Sequence, residues 1–173
     1  TTTILGYNET RLKELGLLDK ANSWALLFDP AVLAKIKGRV TVLDSQRELI
    51  SAALIYLGKN PNSTNPADWR AAADVILRAK PYWAAFNSQS YIKELTVGNI
   101  WVAFGYSSDM FQAVTDAKNA KRPFKINFGL QKQGNTLSLD SFVILKNAPR
   151  KDLAYKFINF MLDGRNAADV TNE

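Results

Sequence analysis

The stretch Ile100-Trp101-Val102-Ala103-Phe104-Gly105-Tyr106-Ser107-Ser108-Asp109-Met110 decides the fold. Its first five residues are almost continuously apolar, as in a central strand covered on both faces. Gly105 to Asp109 then turn the chain, and Met110, Ala113, Val114 and Ala117 follow at the spacing of a helix with one inward side. A buried strand that runs straight into an amphipathic helix is the repeating unit of an α/β domain. The expectation is a mostly parallel sheet flanked by helices.

The same alternation extends in both directions. Ile4 to Tyr7, Val40 to Leu43, Tyr82 to Phe86, Phe124 to Leu130 and Phe142 to Leu145 read as further strands. Asp29-Pro30 opens a short helix, Asp as N-cap and Pro at the first helical position, with Gly38 as the stop. A second helix puts Leu49, Ala52, Ala53, Tyr56 and Leu57 on one face and ends at Gly58. Asn65-Pro66 caps a third, with Trp69, Ala72, Ala73, Ile76 and Leu77 as its inward stripe up to Lys80-Pro81. Ser90 to Val97 is a short helix, and Pro149 opens a last one that faces Ala154, Phe157, Ile158, Met161 and Leu162 inward. Asp163 to Glu173 carries no closing element, which reads as a chain cut short.

Composition narrows the chemistry. The chain has 173 residues with no cysteine and no histidine. Disulfides, thiolate catalysis, the commonest general base and the usual zinc ligands are therefore missing, and no metal site or cofactor is expected. No glycine-rich loop for phosphate is present. Only a hydrolase working with two carboxylates would remain as an enzyme, so the expectation is a protein that binds and does not catalyse. No apolar run approaches the roughly 20 residues of a membrane helix. No secretory leader begins the chain, so the sequence does not report its own address. The net charge is +6, but the basic residues are scattered. Their densest cluster, Lys118, Lys121, Arg122 and Lys125, sits in no nucleic-acid motif and reads as a solvated face around a helix-to-strand loop. No nucleic-acid partner is expected.

In open α/β sheets, ligands bind outside the carboxyl ends of the strands. Two strand-to-helix junctions there carry carboxylates and hydroxyls: Asp44-Ser45-Gln46-Arg47-Glu48 and Tyr106-Ser107-Ser108-Asp109. Asp140 precedes a third apolar run. Carboxylates beside an aromatic ring suit an amine, through charge-assisted hydrogen bonds and the negative face of the ring. Purely structural readings stand beside this one. Ser45 and Glu48 have capping-box spacing, Ser107 or Asp109 can cap the next helix, and Asp44 and Asp140 can end or precede strands through turn hydrogen bonds.

Longer strings weigh against those readings. Trp24-Ala25-Leu26-Leu27-Phe28-Asp29-Pro30, Leu43-Asp44-Ser45-Gln46-Arg47-Glu48, Tyr56 to Ser63, Phe86-Asn87-Ser88, Gly105 to Ala113, Leu139-Asp140-Ser141 and Phe157 to Leu162 occur in an order and spacing that resembles a known family. That family is the spermidine/putrescine-binding proteins of bacterial ABC importers, and the likeness spans essentially the whole chain. It implies a periplasmic-binding-protein type II lobe, residues 1–137 being the second lobe and 138–141 a hinge crossing. Residues 142–173 would supply a strand and helices that pack with the first lobe.

Residue by residue, Glu48, Asp109 and Asp140 fall where the family sets carboxylates against ligand amines. Tyr106 falls where it usually has a Trp. Ser45 occupies a position that is acidic in some members, and Ser138 one that is often aromatic, so a long triamine is less secure as ligand than putrescine or another small cation. The implied partners are a polyamine-like cation, an ABC permease complex in the membrane, and a first lobe or a second copy of the chain. The implied location is the periplasm or the outside of an anchoring cell. The alternatives are an interaction or dimerisation module of the same fold, or a binder of a different small solute.

Overall fold

The computed structural model describes residues 1–172, and side chains through residue 170. In chain order the elements are β1 (Thr3–Asn8), α1 (Glu9–Glu14), α2 (Ala25–Phe28), α3 (Pro30–Leu33), β2 (Val40–Val42), α4 (Gln46–Tyr56) and α5 (Pro66–Ala79). They continue with β3 (Ala85–Phe86), α6 (Tyr91–Val97), β4 (Val102–Tyr106), α7 (Ser107–Asn119), β5 (Ile126–Gly129), α8 (Lys151–Leu162) and α9 (Gly164–Asn172). The chain divides into two compact units, Thr1–Ser138 and Leu139–Glu173.

The first unit holds a five-stranded sheet in the order β3-β2-β4-β1-β5. β2 lies parallel to β3 and to β4, whereas β1 pairs antiparallel with both β4 and β5. Four strands thus share one direction, and β1 alone runs against them. This α/β sheet places the central apolar run at its middle, as β4. It also brings the N-terminal end of β1 to the edge where the other strands finish, pairing Thr3 with Tyr106.

Local chemistry explains the boundaries. The side-chain oxygens of Asn8, Asp29 and Asn65 accept the backbone N–H groups of Arg11, Ala31 and Ala67 at 2.9–3.0 Å, capping α1, α3 and α5. Pro30 and Pro66 sit at first-turn positions where no donor is lost. One face of the sheet packs on Trp24, Phe28 and the leucines around them, with the Trp24 and Phe104 rings 5.5 Å apart edge to face. The other face takes α6 and α7 so closely that a Cβ at Gly105 would run into Tyr91 and Met110.

Several expectations are corrected. The inward residues of α5 are Ala72, Val75 and Ala79, while Trp69 is 49% and Leu77 62% exposed. Small alanines let the helix approach its neighbours, and the Trp69 indole instead donates to the Ser63 carbonyl at 2.7 Å. Phe142 to Leu145 form no strand. A strand exists through its ladder, and among the described residues none runs beside them. Residues 164–172 are helical, with Asp163 Oδ1 accepting the Arg165 N–H at 3.0 Å. In the second unit α8 has no buried residue, and its Phe157 ring meets Phe142 edge to face at 5.8 Å.

Candidate functional site

The reversed strand assembles the site. Because β1 starts where β4 stops, Thr3, the loop into α4 and the first turn of α7 converge at one sheet edge. Tyr106 ends β4, Asp109 lies in the first turn of α7, and Glu48 lies in the first turn of α4.

Glu48 is not part of a capping box. Ser45 is the N-cap of α4 by backbone position, but its side chain makes no capping bond. Glu48 Oε2 instead faces two hydroxyls, Thr3 Oγ1 at 3.3 Å and Thr136 Oγ1 at 3.2 Å, which are themselves 2.7 Å apart. Two hydroxyl protons cannot serve three such contacts at once, so one contact is always unfilled. No described group of the chain bonds the other oxygen, Oε1. The carboxylate is held in orientation and keeps acceptor capacity.

Thr136 is itself fixed by a polar network. Thr2 Oγ1 donates to its carbonyl, and Asn135 Nδ2 donates to the Thr3 carbonyl at 2.9 Å. Two residues earlier, the Trp24 indole donates to the Gly134 carbonyl at 2.8 Å. The segment that follows the sheet is thereby fastened to the core.

Asp109 is positioned by a residue that sequence reasoning misses. Its Oδ2 accepts the hydroxyl of Tyr91, which is 2% exposed, and its Oδ1 accepts Ser108 Oγ at 3.2 Å. The Tyr106 N–H donates to the same Tyr91 oxygen at 3.4 Å, so one buried phenol ties Asp109 to the end of β4. Neither Ser107 nor Asp109 caps α7, whose N-cap is Tyr106 with no side-chain bond. Burial, followed by the hydrogen bond to Asp109, pushes the Tyr91 phenol well above its ordinary value and keeps it a neutral donor. Tyr106 is half-buried. Its phenol is raised first by burial and then by the charges of Glu48 and Asp109. Both carboxylates therefore act on one ring.

The other predicted residues fall at the margins. Ser45 is half-buried at the start of α4. Ser138 is exposed, with its backbone paired to Thr1 at 2.8 and 3.0 Å, two residues beyond Thr136. Asp44 points to solvent, and its N–H donates to Ser88 Oγ at 2.8 Å. Asp140 belongs to the second unit, where it is exposed and makes no hydrogen bond or ion pair with described residues. Among the described residues no three Asp or Glu gather as a metal site would require. The missed residues Thr3, Tyr91 and Thr136 carry no motif. They matter only because the register of β1 and the packing of α6 bring them to this edge.

Replacing Tyr91 by Phe should cost about 1.5 kcal/mol of stability by orphaning a carboxylate oxygen. It should also flatten the alkaline limb. A phenol raised in the folded state contributes stability that is full below its ordinary value, 10.0, and is lost as pH climbs past it. Urea titrations at pH 8 and pH 10.5 will show a smaller loss between the two pH values in the variant.

Residues 1–172 match the family described as bacterial extracellular solute-binding protein. A putrescine/cadaverine-binding protein of Pseudomonas aeruginosa is 61% identical over the whole of this chain and 48% of its own length. The putrescine-binding periplasmic protein PotF of Escherichia coli is 38% identical over 93% of this chain and 44% of its own. The crystal structure of the TpPotD lipoprotein of Treponema pallidum superposes with a TM-score of 0.78 at 26% identity, covering 96% of this chain and 49% of that one. The chain spans about half the length of the curated relatives it matches.

Proposed function

We propose, from the premise that this chain belongs to the bacterial extracellular solute-binding proteins, that it supplies most of one wall of a site for a short diamine such as putrescine. The carrying observation is the convergence at the strand ends of two carboxylates, Glu48 in the first turn of α4 and Asp109 in the first turn of α7, with the half-buried Tyr106 that ends β4. Each carboxylate accepts a charge-assisted hydrogen bond from one ammonium group, and the ring carries the methylenes between them. Ser45 and Ser138 add hydroxyls at the margin. The naming of the 61%-identical relative for putrescine and cadaverine supports short diamines over triamines. The work is capture and delivery, with no bond made or broken. The ligand is closed between this lobe and a first lobe in the periplasm or at the cell surface, and then passed to an ABC permease in the membrane.

Titration calorimetry of putrescine and spermidine against a complete two-lobed protein containing this sequence tests the proposal. Putrescine should bind more tightly than spermidine. The isolated chain should bind it about a hundredfold more weakly, because the closing contacts and the exclusion of water are absent. Equal affinity of the two forms would remove the shared-cleft reading.

A second reading rests on the second unit, where Leu139 and Val143 are 85% and 78% exposed. Apolar surface of this extent marks an interaction face. Sedimentation of a dimer whose stability ignores putrescine would favour it.

A further inference from the structure

The basic cluster of the sequence frames a groove. Lys118, Lys121, Arg122 and Lys125 ring a concavity of about 340 Å³ whose floor includes Val114, Phe124 and Ile126. That volume lies at the lower end of the range of roughly 300–1,000 Å³ for small-molecule sites. The groove belongs to the first unit but not to the carboxylate cluster. α7 carries Asp109 in its first turn and meets the groove from Val114 to Lys118, roughly 7–14 Å further along its axis.

Three observations set this groove apart from a solvated basic face. Among the described residues Lys118, Lys121 and Arg122 take part in no ion pair, and only Lys125 has an acidic partner, Glu9 at 3.0 Å. The floor is built, since the Phe124 ring lies over Gly98 so closely that a Cβ there would stand 2.9 Å from it.

The backbone provides the third. α7 ends in a Schellman turn, with Arg122 N–H donating to Ala117 O and Lys121 N–H to Lys118 O, both at 3.0 Å. Its left-handed position, φ +48°, holds Lys121 where glycine is the favoured residue. Favourable interaction with the negative helix end accounts for Lys118 in the last turn. It does not account for Arg122 and Lys125, which lie beyond the helix.

We propose that this groove is a second binding site, for a phosphate or carboxylate carried on a short apolar stem. The cations hold the anionic head through charge-assisted hydrogen bonds, and the stem covers Phe124 and Ile126. The head belongs either to a free amphiphilic anion or to an anionic lipid.

Hexyl phosphate below its micelle concentration is the probe, titrated into the full chain with backbone amide NMR shifts as the readout. Saturable shifts confined to residues 114–126 are expected, with inorganic phosphate binding more weakly for want of the stem. Lys121→Gly and Arg122→Gln should each weaken hexyl phosphate roughly fivefold. Lys121→Gly should leave the melting temperature unchanged or raised, because glycine suits the turn, so loss of binding cannot be loss of fold. Vesicles of phosphatidylglycerol that compete with hexyl phosphate would identify a lipid source, and vesicles that do not would identify a free anion. Absence of hexyl phosphate binding, equal binding of inorganic phosphate, or indifference to both substitutions would overturn the proposal.

Discussion

Trp24→Ala should remove about 5 kcal/mol of stability and lower the melting temperature by roughly 10–20 °C. Trp24 is fully buried, and its ring meets Phe104 edge to face at 5.5 Å and Phe28 at 6.5 Å. Truncation to Ala leaves a cavity that the sheet cannot close, at about 3–5 kcal/mol for a buried Trp. The lost indole N–H also strips the Gly134 carbonyl of its donor, adding on the order of 1 kcal/mol. Domains of this kind are stable by only about 5–15 kcal/mol, so the variant should sit near the edge of folding. Trp24→Phe shifts the balance of the two terms, since it keeps a six-membered ring in the core and loses the donor with only three heavy atoms. Its cost should be nearer 2 kcal/mol, much of it from the detached segment around Gly134. Urea unfolding followed by circular dichroism gives both numbers. A loss below about 2 kcal/mol for the Ala variant would contradict the packing described for this core.

Glu48→Gln and Asp109→Asn should each weaken putrescine binding by a complete two-lobed protein by roughly 30- to 100-fold, equivalent to about 2–3 kcal/mol. Neither change should unfold the protein. In Glu48→Gln the new amide oxygen still accepts from Thr3 and Thr136, and in Asp109→Asn it still accepts from Tyr91. The charge is lost while the shape is retained. The two carboxylates are proposed to meet opposite ends of the ligand, so the double variant should lose close to the sum of the single effects. Calorimetric Kd values beside melting curves decide the matter. Affinities within twofold of the parent, at unchanged melting temperature, would end the assignment of this edge as the amine site.

What can be read from the sequence follows from which interactions are local. β2, β4 and β5 and the helices α4 and α7 lie close to where their apolar runs and, for α4, the stop at Gly58 put them, because those signals act over a few residues. The inward face of α5 differs by one step from the stripe the sequence suggests. The two stripes share Ala72 but their mean directions differ by roughly 100° about the helix axis, and contacts with distant residues choose between them. Glu48 shows the limit most plainly. Its spacing from Ser45 is that of a capping box, yet its bonds go to Thr3 and Thr136, which are 45 and 88 residues away. Tyr91 is invisible for the same reason, since only the packing of α6 against β4 brings its hydroxyl to Asp109. The two carboxylate-bearing junctions can be found from the rule that ligands sit at strand ends. The hydroxyls and the phenol that orient them cannot, because the hydroxyls depend on the direction of β1 and the phenol on the packing of α6. Residues 142–145 fail in the opposite sense, having the composition of a strand without a ladder.

The lone reversed strand also governs the order in which the molecule can be made. β1 is the earliest strand in this sequence, yet its hydrogen-bonding partners are β4 and β5, about a hundred residues downstream. A ribosome adding about 5–20 residues per second needs on the order of ten seconds to supply them. Throughout that interval β1 is without β4 and β5, the two strands that flank it in the finished sheet. The five-stranded sheet can therefore close only after β4 and β5 have been made, whatever the order in which its other pairs form.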